Sequence, residues 1–194
     1  MTCLCGRPAS GRWLLEGNRG EGAAPTKPGA APTKSGAAPT VVRVSRNDSH
    51  MKHILTVCIG NICRSPLAQA LLARELPGHT VWSAGLGALV GQPADPLSVQ
   101  VGAIHGLDLA EHRAQQVNSW LCHNAELILV MEQAHKTAME QQYPLVRGKV
   151  FRLGELEKFD IADPYRQPIS AFEAAYADIA RGVASWVPRI RMLS

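Results

Sequence analysis

His53-Ile-Leu-Thr-Val57, then Cys58-Ile-Gly-Asn-Ile-Cys-Arg64, then Ser65-Pro66, is the stretch on which the fold turns. Its first five residues are a short apolar, β-branched run, the pattern of a buried strand. Cys58 to Arg64 reads as a loop, because Gly60 and Asn61 tolerate positive φ. Ser65 and Pro66 then open a helix, with Ser as N-cap and Pro at the first helical position. Leu67, Ala70, Leu71 and the Ala73 to Leu76 segment supply an apolar face, and Pro77-Gly78 ends it.

Downstream the alternation repeats. Thr80-Val-Trp82 is a strand candidate and Ser83 to Asp95 a Gly-rich loop. Residues 96–105 read as a helix with Leu97, Val101 and Ile104 on one side, and residues 115–122 as a second, short one. Leu127-Ile-Leu-Val-Met131 is the clearest buried strand. A helix from Glu132 to Tyr143, a strand Lys149-Val-Phe151 and a loop over 154–170 follow. The last helix, residues 171–189, lines up Phe172, Ala175, Tyr176, Ile179, Val183 and Trp186. Strands alternating with helices predict an α/β fold. The expectation is a single open three-layer domain over residues 51–194. Its central four-stranded parallel sheet is flanked by helices, with a phosphate-binding loop after the first strand.

Residues 1–50 have a different character. Ala-Ala-Pro-Thr recurs from Ala23, Ala30 and Ala37, and each repeat carries Gly and Pro without an apolar seam. A disordered Ala/Gly/Pro-rich extension is expected, because such a stretch cannot offset its ordering entropy by burial. It reads as a linker or the product of an upstream start codon, with a functional tail as the alternative. Of 194 residues, 46% are hydrophobic and 19% charged, enough apolar content for a buried core. The net charge of +4 lies wholly in this extension: seven Lys/Arg stand against three acids before Met51, and 13 against 13 after it. The domain therefore has no basic field, which argues against nucleic acid as a partner. No apolar run reaches the roughly 20 residues of a membrane span, and no signal-peptide core precedes the domain, so a cytoplasmic protein is expected. The five cysteines are odd in number and lack Cys-x-x-Cys spacing, which predicts free thiols.

Chemistry is expected at the strand–loop–helix of residues 53–76, since ligands of open α/β sheets sit beyond the carboxyl ends of strands. The loop is neither Gly-x-x-x-x-Gly-Lys-Ser/Thr nor Gly-x-Gly-x-x-Gly. It is Cys-x5-Arg, a pattern weak by itself, for chance gives about 0.35 matches in a chain of this composition. Its context makes it informative. The seven residues from Cys58 to Arg64 can curl so that successive N–H groups turn inward as a nest for a tetrahedral dianion. Arg64 can grip two phosphate oxygens, while the N–H groups, Arg64 and the helix dipole favour an ionised Cys58. A thiolate facing a cradled phosphate is a nucleophile for phosphoryl transfer. The leaving oxygen needs an acid, and Asp163 in the late Asp163-Pro164-Tyr165 loop is the candidate, although a lone Asp-Pro is by default a turn.

The motif Cys58 to Pro66 near a domain start, with Asp163-Pro-Tyr165 near its end, resembles the low-molecular-weight protein-tyrosine phosphatases. Ser83 to Gly91, Met131-Glu132, Arg147 to Val150 and Asp163 to Arg166 are similar to the bacterial branch found with capsule and exopolysaccharide genes. The resemblance implies roles. Cys58 would form a phosphocysteine, Arg64 would bind substrate and transition state, and Asp163 would be acid and then base. Ser65 would hydrogen-bond the Cys58 sulfur. Asn61 would hold the loop in a left-handed turn, in a network with Ser83 and His112. Ile59, Gly60, Asn61, Ile62, Cys63, Ser65, Leu89 and Tyr165 would contact substrate, with Leu86 adding to the apolar wall. Arg166 would favour acidic or multiply phosphorylated tails, or stand solvated. No cofactor or metal is implied. The implied partner is a phosphotyrosine protein, a membrane-bound bacterial tyrosine autokinase regulating polysaccharide export, with no membrane insertion by this chain. Cys63 would either form a reversible disulfide with Cys58 or be a small buried residue.

Two other readings stand beside this one. An arsenate reductase on the same scaffold would need further cysteines to relay a disulfide, and only Cys122 follows the loop. A phosphotyrosine-binding module with a dead site would not need Cys58, Arg64, Ser65 and Asp163 together. Cys122, Trp82, Trp120 and Trp186 are expected in the core. His53, His79, His105, His123 and His135 read as structural or surface residues, and Glu155, Glu157 and Asp160 as a solvated acidic edge.

Overall fold

The computed structural model describes residues 51–194. The reading of residues 1–50 as a disordered extension lies outside the described residues. Strand β1 (His53–Cys58) leads through the Cys58–Arg64 loop into α1 (Arg64–Glu75), then β2 (Thr80–Gly85) and α2 (Pro96–Ile104). Helix α3 (Ser119–Asn124), β3 (Leu127–Val130), α4 (Gln133–Gln142), β4 (Val150–Arg152) and α5 (Ile169–Met192) complete the chain.

The four strands are parallel and run in the order β2-β1-β3-β4. Sheet faces alternate with the sequence. Ile54, Leu127 and Leu129 pack under α1, α2 and α5, against Leu67, Val101, Phe172 and Ile179. Leu55, Val57, Ile128 and Val130 face α3 and α4, against Leu121 and Met139. Both faces are thus covered, as a parallel sheet requires, and the three-layer α/β expectation holds. The order of strands reverses between β1 and β3, so the loops after these two strands diverge and leave a crevice at the carboxyl edge. Among the described residues, no helix is long and apolar enough to cross a membrane.

Several local expectations are corrected. Helix α1 starts at Arg64 with Cys63 as N-cap and no side-chain cap, because the Ser65 hydroxyl is engaged with Cys58. Residues 115–118 are not helical: Gln116 bridges to Gly85, and α3 begins only at Ser119, capped by Asn118. Ile104 is exposed, while Val101 is buried and Leu97 packs against the core as expected, joined by Ser98 and Gly102. Trp186 is buried, Trp82 half-buried, and Trp120 is 63% exposed and not core. The acidic edge is solvated at Glu157 and Asp160, as expected, and also carries ion pairs: Glu155 and Asp160 hold Arg152, and Glu157 meets Arg181.

Candidate active site

Cys58 ends β1 at the sheet's carboxyl edge, 2% exposed. The five carbonyls that follow the strand all point outward and are answered from outside the loop. Leu86, Gly87, Leu89 and Asp95 donate their N–H groups to the carbonyls of Cys58, Ile59, Gly60 and Ile62, and His112 Nε2 donates to that of Asn61 at 2.7 Å. A carbonyl only accepts, so this bond places the hydrogen of His112 on Nε2. Burial lowers His112 below its usual 6.5 and keeps the ring neutral. With the carbonyls outward, the amides face the inside of the curl. Asn61 N–H reaches Cys58 Sγ at 3.3 Å. The amides of Ile59, Gly60, Ile62 and Cys63 make no hydrogen bond among the described residues.

The curl depends on two backbone facts. Asn61 has φ 55°, the left-handed region expected of it. Gly60 does not need its own freedom there, whereas Gly85 does need to lack a side chain: a Cβ at that position would lie 2.3 Å from the Ile59 carbonyl.

Beneath the loop runs a directed chain of hydrogen bonds. The Asn61 Oδ1 accepts from the Gln115 backbone N–H at 2.8 Å, which fixes the orientation of the carboxamide. Its Nδ2 donates to Ser65 Oγ and to Ser83 Oγ, both at 2.9 Å. Ser83 passes its hydrogen to Gln69 Oε1 at 2.6 Å. Ser65, already an acceptor, has one hydrogen and two acceptors in reach, Cys58 Sγ at 3.0 Å and the Ala84 carbonyl at 3.5 Å, and the shorter contact favours the sulfur. The network thus ends with a hydroxyl donor aimed at the sulfur.

Arg64 is 1% exposed, and a buried guanidinium must be answered. Nη1 donates to Glu132 Oε1 at 2.5 Å and to the Ile161 carbonyl at 2.7 Å, and Nη2 pairs with Asp163 Oδ2 at 2.8 Å. Nε is buried and has no partner among the described residues. Glu132 lies just past β3 and Asp163 in the long loop after β4, so segments that follow three of the strands converge on one guanidinium.

These groups line a cleft of about 290 Å³: Cys58, Arg64 and Asp163 with Ile59, Leu89 and Tyr165 at its rim. Gly60, Ile62 and Cys63 also line it, as do Gly87 and Arg166. Asn61, Ser65, Ser83 and His112 stand behind the loop. Leu86 packs into the core beside α3 and is not part of the wall, a correction to the expected aryl contact. Cys63 is buried, and burial followed by the charge of Asp95 pushes its thiol from 9.0 up to about 12. Cys122 lies in the core of the α3 side, its thiol raised by burial to about 11. Sequence reasoning missed Gln69, Gln115 and the pairing role of Glu132. A buried arginine after β1 implies a carboxylate from a neighbouring strand end, and Glu132 after β3 meets that requirement.

Comparison with known proteins places this geometry. Residues 53–192 match the family described as low molecular weight phosphotyrosine protein phosphatase. A Ralstonia nicotianae protein, "Probable low molecular weight protein-tyrosine-phosphatase EpsP", is 60% identical over 143 residues, 74% of this chain and 99% of that protein. The structure of Vibrio vulnificus Wzb in complex with benzylphosphonate is 42% identical with TM-score 0.70, over 72% of this chain and 99% of that one. The structure of YwlE arginine phosphatase from Geobacillus stearothermophilus is 33% identical with TM-score 0.69, over 73% and 94%.

Proposed function

The chain belongs to the low molecular weight phosphotyrosine protein phosphatase family and is a protein-tyrosine phosphatase; from that premise we propose that it works through a phosphocysteine on Cys58. One observation carries the reading. Four loop amides and Arg64 Nε, all without hydrogen-bond partners among the described residues, surround the buried Cys58 sulfur. Such a set of donors fits the three equatorial oxygens of a phosphoryl group in transfer.

In the proposed cycle the phosphoryl group of the ester settles in the loop, with Arg64 Nε and the amides on its oxygens. The Cys58 thiolate attacks phosphorus in line, and the S–P bond forms as the bond to the aryl oxygen breaks. Asp163, at the cleft mouth, gives its proton to that oxygen. The resulting carboxylate then takes a proton from water, whose oxygen attacks phosphorus. The S–P bond breaks, phosphate leaves, and Ser65 donates to the departing sulfur. In the ligand-free cleft Asp163 rests on Arg64 Nη2; the incoming dianion competes for that contact, and the released carboxylate takes a proton from solvent before it serves as the acid.

Aromatic esters fit best, because the nucleophile lies below a rim of Ile59, Leu89 and Tyr165, each about two-fifths exposed. We propose a tyrosine autokinase of polysaccharide export as the physiological substrate. That reading is supported by the resemblance to the capsule and exopolysaccharide branch and by the likeness to the protein named EpsP. Arsenate reduction finds no support in Cys122, which sits in the core of the α3 side of the sheet.

The test is hydrolysis of an aryl phosphate by the full chain in chelator, with phosphoarginine and arsenate plus thiol alongside. Cys58→Ser should abolish aryl phosphate turnover, and Asp163→Asn should slow it about 10²- to 10⁴-fold. Turnover that survives Cys58→Ser, or a preference for phosphoarginine or arsenate, overturns the reading.

A further inference from the structure

Glu132 is the carboxylate that answers Arg64 on the Nη1 side, and its own position needs a cause. It occupies the N-cap position of α4 without capping it: the Gln133 N–H goes to Asp160 Oδ1 instead. Its side chain is about one-third exposed, so water competes for it. His135, one turn along α4, is 4% exposed. Its Nε2 lies 3.5 Å from Glu132 Oε1, the same oxygen that receives Arg64 Nη1.

The ring is oriented by what it lacks. Nδ1 is buried with no hydrogen-bond partner among the described residues. A buried N–H without an acceptor is the rarer and costlier orphan, so the hydrogen belongs on Nε2, toward Glu132. Burial lowers His135 below 6.5, against the weaker upward pull of Glu132. Of the other charges facing the ring, Arg64 acts with burial, whereas Asp163 and Asp160 act against it. The ring is a neutral dipole at pH 7.

We propose that His135 is a positioning residue, whose ring walls and orients the Glu132 carboxylate against Arg64 Nη1 and so fixes the guanidinium plane that presents Nε to the cleft. The proposal rests on the reading of Arg64 as the oxyanion holder. The spacing is longer than a hydrogen bond proper, so the contribution is packing plus a dipole directed at a charge. Sequence alone placed His135 among structural or surface histidines, because nothing local says which helix face meets the arginine.

The test is a double-mutant cycle on the full chain, with His135→Leu, His135→Gln, Glu132→Gln and the combinations. kcat/KM for an aryl phosphate and competitive inhibition by inorganic phosphate are read together with melting curves. His135→Leu should weaken phosphate inhibition about 10-fold, the scale of one lost contact to a charged group. His135→Gln, which keeps an N–H donor, should restore part of it. Added to Glu132→Gln, His135→Leu should cost less than about twofold more, because its effect passes through Glu132. Fully additive losses, or phosphate inhibition equal to wild type in His135→Leu, overturn the proposal. If His135→Leu does not fold, His135→Phe, which keeps a ring and lacks the donor, carries the cycle, and additivity or an absent effect there overturns it equally. If phosphate fails to compete in the wild type, the reading of Arg64 falls; if it competes and the losses add, this inference falls alone.

Discussion

Asn61→Ala is the perturbation whose size the structure allows to be worked out. The side chain is fully buried and its carboxamide makes three hydrogen bonds, to Ser65, Ser83 and the Gln115 amide. Each is worth about 1 kcal/mol net, so their loss costs about 3 kcal/mol. Alanine at φ 55° adds about 1 kcal/mol of left-handed strain. The total of about 4 kcal/mol corresponds to a melting point lower by about 12 °C for a domain of this size. Asn61→Gly removes the same bonds without the strain and should recover about 1 kcal/mol. Neither variant should recover activity, because Ser65 loses the donor that turns its own hydrogen toward Cys58. The assay pairs thermal melts with phosphate inhibition and kcat/KM. The reasoning is refuted if Asn61→Ala melts within about 1 kcal/mol of wild type, or if Asn61→Gly restores oxyanion affinity.

Gly85→Ala drives a methyl against the Ile59 carbonyl, so it should destabilise by about 1–3 kcal/mol and weaken phosphate inhibition; wild-type values in both would contradict the close approach. His112 and His135 both titrate below 6.5 in the folded chain. The unfolded chain therefore takes up protons first, and stability that is full above about pH 6.5 declines as the pH falls toward the folded values. Melting curves from pH 8 to 5 should show that decline, shallower in His112→Gln, and a flat profile contradicts it. Ile59→Ala and Leu89→Ala should raise KM for aryl phosphates about 3- to 10-fold each while leaving inhibition by inorganic phosphate unchanged, since only the ester reaches the rim. Equal effects on both would mean the rim shapes the loop rather than the substrate.

The fold was legible where burial dictates residue type. β1 and β3 are runs of aliphatic residues because both their faces are covered. The helices of residues 64–75 and 169–192 follow their apolar periodicity, though each begins one or two residues before its apparent signal. Reading failed where polar groups do structural work. Residues 115–118 look helical, yet Gln115 and Gln116 run beside Gly85 and hold Asn61, Ser83 and Leu86 through their amides. Ser65 carries the statistics of an N-cap, but a nearby sulfur claims its hydroxyl. Cys58, Arg64 and Asp163 were visible as a motif and are brought together. Glu132 and His135 were not assigned to the site, because a carboxylate's partner is set by which strand ends the topology brings together. Trp120, expected in the core, instead leans on Trp82 at the surface.

The central claim is that one sulfur receives the phosphoryl group. Rapid acid quench of the Asp163→Asn chain during turnover of an aryl phosphate, followed by peptide mass mapping, tests it most directly. One added phosphoryl group is expected on the peptide holding Cys58, absent from Cys58→Ala. Turnover without that adduct, or an adduct on another residue, contradicts it.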